Sequence, residues 1–202
     1  MTDDEFLKPL AGPLRDLTRW LNDSKVPFAV IGGVAAGLLG KYRATGDVDA
    51  VILTDESKID IFVEDAKSYG FVPRMENAVE FARENRVLLL RHVGDDIGVD
   101  LSLGILPFET EMIARAIRVQ AVGVEIPIAP PEELIVMKAL AFRPRDITDI
   151  ETLLDANEHV DLHRVRNSVQ ELSDALEDPE IAARLERLLA MRHATRSPKK
   201  KK

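Results

Sequence analysis

Val30-Ile31-Gly32-Gly33-Val34-Ala35-Ala36-Gly37-Leu38-Leu39-Gly40-Lys41-Tyr42-Arg43-Ala44-Thr45-Gly46-Asp47-Val48-Asp49-Ala50-Val51-Ile52-Leu53 is the stretch from which the rest of the chain can be read. A short apolar run ends in a glycine pair, a small-residue segment follows, and a second apolar run opens with two aspartates one residue apart. The pattern predicts strand, helix, strand. Side chains alternate faces along a strand, so Asp47 and Asp49 project from one side while Val48 and Ala50 pack on the other. Two carboxylates held that close repel unless a cation lies between them, which suits either a divalent-metal site or a solvated strand end.

Around this stretch, 202 residues with 46% hydrophobic and 31% charged positions supply enough apolar surface for one core with a helical appendage. The absence of cysteine removes disulfides, thiolate zinc sites and cysteine nucleophiles together, and fits a reducing cytoplasm. An acidic start, Met1-Thr2-Asp3-Asp4-Glu5, is unlike a secretory signal, and no apolar run approaches the ~18 residues needed to span a bilayer. The expected location is cytoplasmic, without a membrane partner. A net charge of −8 argues against wrapping duplex nucleic acid by phosphate neutralisation. The basic run 196–202 reads as a disordered, solvated tail, with a weak electrostatic tether to RNA as the sharper alternative.

Before the glycine stretch, residues 4–22 carry a helical period that Pro9 and Pro13 should split. Phe28 to Ile31 reads as a buried strand, Val34 to Gly40 as a short helix, and Val48 to Leu53 as a strand covered on both faces. Ser57 to Tyr69 is an amphipathic helix stopped by Gly70, and Phe71 to Pro73 a short edge strand. After a polar stretch with no assignable pattern, Val87 to His92 and Ile97 to Leu103 form a hairpin across Gly94-Asp95-Asp96. Its second strand carries Asp100 between Val99 and Leu101, where an unpaired charge is costly. Pro107 to Ala116 predicts a helix and Val119 to Ile128 a strand pair around Gly123. From Pro131 the chain reads as helical: a helix through Ala141, a break at Arg143-Pro144-Arg145-Asp146, then Ile147 to Ala156, Leu162 to Leu176 and Ile181 to Met191. The fold class is α+β: a sheet region over 1–128 with an N-terminal helix, a helical region over 129–195, and the tail 196–202.

Two motif readings of the glycines fail on spacing. A dinucleotide fingerprint needs glycine where Val34 stands, and a P-loop needs glycine at Ala35 and a hydroxyl at Tyr42. What remains is a strand ending in Gly-Gly, a helix, a strand with Asp-x-Asp and a third acid on a later strand. Such a set suits nucleotidyl transfer. Glycines let backbone approach a triphosphate, helix-start amides attract its charge, and clustered carboxylates hold two Mg²⁺ ions. One ion would activate the attacking hydroxyl and the other would neutralise the triphosphate and pyrophosphate.

The words Gly32-Gly33 with Ala35, Arg43-x-Thr45-x-Asp47-x-Asp49, and Lys138 followed by Arg145-Asp146-x-x-Asp149 resemble the DNA-polymerase-β-like nucleotidyltransferase superfamily, in particular its minimal AbiEii-type bacterial members. The resemblance covers roughly residues 28–155. It implies a mixed β-sheet nucleotidyltransferase core with a helical C-terminal part. It further implies Asp47, Asp49 and Asp100 as catalytic metal ligands for two Mg²⁺ ions, with Mn²⁺ as substitute. Gly32, Gly33, Arg43, Thr45 and Lys138 would be the nucleotide-binding residues. The implied substrate is an NTP such as ATP, the acceptor a hydroxyl on RNA, tRNA or protein, and the setting a toxin-antitoxin or phage-defence system with a cognate toxin or antitoxin partner. The tRNA CCA-adding enzymes share Gly-Gly and Asp-x-Asp but carry Arg-Asp where this chain has Ala35-Ala36, which separates it from them.

Plainer readings stand beside these. Gly46-Asp47 is ordinary turn chemistry, and Asp100 could pair with Arg91 or Arg86 across its hairpin. Lys138 reads equally as a lysine snorkelling to the surface, and Asp146 as the cap of a helix starting at Ile147. His159 and His163 have metal-pair spacing, but Asp161 should cap a helix between them. Many superfamily members carry Gly-Ser where this chain has Gly32-Gly33. That departure motivates the rival expectation, a catalytically inactive member serving as a binding or regulatory protein.

Overall fold

Alternating and continuous apolar runs become strands, and three-to-four periodicity becomes helices, over residues 1–196, which the computed structural model describes; the tail segment 197–202 lies outside the described residues. The Cα packing divides the chain into two compact units, Met1–Pro130 and one from Pro131 onward. In the first, the elements run α1 (Asp3–Leu7), α2 (Ala11–Asp23), β1 (Phe28–Val30), α3 (Gly32–Leu39), β2 (Asp47–Ile52), α4 (Ile59–Ser68), β3 (Phe71–Pro73), α5 (Ala78–Asn85), β4 (Val87–His92), β5 (Ile97–Leu103), α6 (Pro107–Ala114), β6 (Ile117–Ala121) and β7 (Val124–Ile128). The strands form one sheet ordered β3-β4-β5-β2-β1-β7-β6. Strand β2 runs parallel to β5 and antiparallel to β1, and β1 is parallel to β7, so the sheet is mixed and the fold α+β, as expected.

Local chemistry explains most boundaries. Pro9 falls in a 3-10 turn, Lys8–Leu10, that separates α1 from α2, while Pro13 is accommodated in the first turn of α2. Helix α3 starts at Gly32, two residues earlier than the apolar pattern suggests. Gly32 has φ of +64°, which turns the chain out of extended Ile31 into the helix and which a residue with a side chain rarely adopts. The polar stretch without a readable pattern contains α5, whose buried positions are only Ala78 and Ala82.

Val48, Ala50, Leu88, Leu90, Val99 and Leu101 are buried on one face of the sheet, and on the other Asp49, Gly98 and Asp100 are half-exposed. The buried side is anchored by Trp20. Its ring stacks on Phe62 with centroids 4.3 Å apart and on Phe71 at 5.7 Å, and its indole N–H donates to Asp65 Oδ2 at 2.9 Å.

The second unit consists of α7 (Pro131–Ala141), α8 (Pro144–Ala156), α9 (Leu162–Ala175) and α10 (Glu180–Arg196), with α7 packing on each of the other three. The expected break between the two helices is present at Phe142 and Arg143, but α8 starts at Pro144, three residues before Ile147. Proline occupies the first helical turn, and Asp146 there accepts the Arg143 N–H at 2.9 Å. No described helix is long and apolar enough to cross a membrane.

Trp20→Ala removes the stacked ring and its hydrogen bond from a site with no exposure. Urea unfolding followed by circular dichroism is expected to show a loss of about 3–5 kcal/mol; fluorescence cannot follow it, because Trp20 is the chain's one tryptophan.

Candidate active site

The parallel pairing of β2 with β5 sets the geometry. Its register puts Asp47 beside Gly98 and Asp49 beside Asp100, and paired residues of neighbouring strands face the same way. Asp47, Asp49 and Asp100 therefore share one face. Val48 and Ala50 are buried on the opposite side, as strand alternation predicts.

Next to these carboxylates lies the start of α3. Asp49 packs against the bare Cα of Gly32, in the space a Gly32 side chain would need. A Cβ built on Gly33 would fall 2.5 Å from Thr45 Oγ1, 2.9 Å from Thr45 Cβ and 3.4 Å from Arg43 Nη1. The glycine pair thus brings Asp49, Thr45 and Arg43 against the first turn of the helix. Thr45 Oγ1 stands over position 33 and donates to Asp47 Oδ1 at 3.0 Å. The loop carrying Arg43 and Thr45 is tied to the amino terminus: Tyr42 donates its hydroxyl to Asp3 Oδ1 at 2.7 Å and packs on Phe6 with ring centroids 5.1 Å apart. The bond to Asp3 holds the Tyr42 hydroxyl above its usual pKa.

Asp100 is not paired with Arg91 or Arg86, the partners its hairpin suggests. Arg91 bridges to Asp96 at 2.7 Å, and Arg86 to Glu56 at 2.5 Å and to the Leu103 carbonyl at 3.0 Å. The partner is Arg74, just beyond β3, whose Nη2 donates to Asp100 Oδ1. Burial pushes the Asp100 carboxyl above its ordinary pKa; Arg74 pulls against that shift and the charge of Asp47 adds to it. No sequence motif marks Arg74, because its role depends on the β3, β4, β5 pairing.

Three aspartates on one face, with no thiolate or imidazole among them, form a hard oxygen donor set that suits Mg²⁺ or Mn²⁺. Among the described residues no three acidic or imidazole groups converge closely enough to hold a metal ion. Asp100 is turned to Arg74 and Asp47 to the Thr45 hydroxyl. The donor chemistry and strand register fit the ion, with Arg74 holding Asp100 Oδ1 on the same face.

Lys138 belongs to the helical unit and is buried, contrary to a snorkelling position. Its Nζ lies 2.6 Å from Asp149 Oδ2 and 3.4 Å from Asp146 Oδ1, so one buried ammonium joins α7 to two carboxylates of α8. His163 lies in α9 and His159 before it, with Asp161 accepting the Arg164 N–H at 3.0 Å as the cap between them.

A family profile described as nucleotidyl transferase of unknown function (DUF2204) matches residues 12–189, and the chain belongs to that family. No curated protein matches it. Among solved structures it is similar to the antibiotic-resistance factor ANT(2'')-Ia in solution, with TM-score 0.54, 16% identity and coverage of 96% of this chain and 98% of that one. It is similar also to ANT(2'')-Ia in complex with adenylyl-2''-tobramycin, with TM-score 0.57, 14% identity, and coverage of 83% and 98%. At these identities the likeness establishes a shared fold.

The crowding at Gly33 is testable by a mutant cycle. Gly33→Ser should destabilise the protein, and Thr45→Gly, which empties the space above it, should recover part of the loss. The expected coupling in urea unfolding is about 1–2 kcal/mol, and strict additivity would show that the two positions do not compete for space. Lys138→Met leaves two buried carboxylates without their ammonium and is expected to cost about 3–5 kcal/mol by the same measurement.

Proposed function

We propose that this nucleotidyl transferase moves an NMP unit from an NTP to an acceptor hydroxyl on the sheet face where β1 ends and β2 begins. The observation that carries the reading is the β2/β5 register, which sets Asp49 beside Asp100, with Asp47 on the same face. Like charges so arranged are favourable only with a cation among them, and we assign Asp47, Asp49 and Asp100 as ligands of Mg²⁺, with Mn²⁺ as substitute. When bound, two such ions would acidify the acceptor hydroxyl and offset charge on the triphosphate and departing pyrophosphate.

The chain's own residues do the rest. Backbone N–H groups in the first turn of α3 have no partners within the helix and face the triphosphate. Gly32 and Gly33 let it come close, and Arg43, 3.4 Å from where a Gly33 side chain would begin, supplies a cation there. Thr45 orients Asp47 through its hydroxyl. Lys138 we assign to joining α7 with α8, since Asp149 and Asp146 hold its ammonium. The rival reading, a non-catalytic member, is motivated by the hydroxyl missing at Gly33 and predicts NTP binding without pyrophosphate release.

The resemblance to AbiEii-type proteins supports an acceptor on RNA, tRNA or protein and a role in a toxin-antitoxin or phage-defence pair. The likeness to ANT(2'')-Ia adds aminoglycosides to the acceptors worth testing. Each NTP, labelled at its α-phosphate, would be offered with total RNA, cell protein and tobramycin, with and without Mg²⁺. Asp49→Asn is expected to keep the fold and to lose Mg²⁺-dependent label transfer and pyrophosphate release by about a hundredfold or more. Transfer surviving in that variant would sink the metal assignment.

A further inference from the structure

We propose that Arg74 is the resident cation of this site: its guanidinium occupies Asp100 in the free protein, and a divalent ion entering with a triphosphate displaces it. The inference rests on the reading of the three aspartates as metal ligands. It adds a residue outside the motif and a linkage between the two ligands.

Arg74 is fixed by its backbone, whose N–H donates to the Leu89 carbonyl at 3.0 Å and extends the pairing of β3 with β4. From there its side chain reaches past β4 to Gly98 and Asp100 on β5. A Cβ on Gly98 would lie 3.4 Å from Arg74 Nη1, so the bare strand position is where the guanidinium rests. Gly98 is the residue paired with Asp47, and Asp100, which accepts from Arg74 Nη2, is the residue paired with Asp49. The guanidinium therefore lies on the face that carries all three carboxylates, engaged with Asp100, the proposed ligand supplied by β5.

Guanidinium cannot give up its charge by losing a proton, so while it holds Asp100 Oδ1 it stays a competing cation on the face where a divalent ion would bind. The bridge is displaceable. Both side chains keep about a third of their surface in water, at 36% and 32%, where an ion pair contributes little. Once displaced, the guanidinium needs another anion, and its planar fork matches phosphate oxygens. Metal alone pays for breaking the bridge. Metal with a triphosphate supplies the replacement partner, so each ligand should favour the other.

The test is Mn²⁺ binding to the full chain, measured by electron paramagnetic resonance, in wild type, Arg74→Gln, Arg74→Lys and Asp49→Asn, each checked for folding by circular dichroism. Affinity for a non-hydrolysable NTP at saturating Mn²⁺ would be measured alongside. Arg74→Gln is expected to bind Mn²⁺ alone about fivefold more tightly than wild type, because the competing cation is gone, and to bind the NTP more weakly. Arg74→Lys, which keeps the charge without the fork, should fall between and provides the readout if the glutamine variant does not fold. Equal or weaker Mn²⁺ binding in the folded variants overturns the proposal while leaving the metal site standing. Mn²⁺ binding to neither wild type nor Arg74→Gln, or binding unchanged in Asp49→Asn, overturns the metal-site reading and this proposal with it.

Discussion

Two carboxylates, Asp49 and Asp100, stand side by side across a parallel strand pair, and the surroundings are arranged to tolerate that repulsion. Arg74 neutralises one of them, and the Thr45 hydroxyl engages the neighbouring Asp47. A protein selected only for stability would gain by replacing such acids with apolar residues. Their presence, in a chain that belongs to a nucleotidyl transferase family, makes function the better explanation for them than packing.

The glycine pair answers a different constraint. In the space where side chains at positions 32 and 33 would go, the structure puts Asp49 on one and Thr45 with Arg43 near the other. Glycine here serves volume as much as backbone conformation. A serine at position 33 would compete with Thr45 for the same space.

What could be read in the sequence was whatever depends on local period. Strands β1, β2, β4 and β5 follow from apolar runs, and the common face of Asp47 and Asp49 from strand alternation. Helix α5 could not be read because alanine, its only buried residue type, barely marks a face. The break after Ala141 was legible, but the start of α8 lies at Pro144 rather than Ile147, since proline breaks a helix interior but begins one readily. Features set by long-range pairing left no local trace. The facing of Asp49 and Asp100 requires the β2/β5 register, the Arg74 bridge requires β3 paired with β4, and the burial of Lys138 requires α7 packed on α8. The hairpin pattern offered Arg91 and Arg86 as partners for Asp100, and both are used elsewhere.

The β2/β5 pairing also bears on how the molecule forms. Two helices and two strands, α4, β3, α5 and β4, intervene between these neighbours in the chain, so their parallel contact closes a long loop and is among the slower pairings in such a sheet. Until it closes, Asp49 and Asp100 are far apart and their repulsion does not exist. The unfavourable charge pair is created in the same event that completes the middle of the sheet. Arg74 follows β3, which pairs with β4, the strand beside β5, so the counter-charge for Asp100 comes from the same run of neighbouring strands.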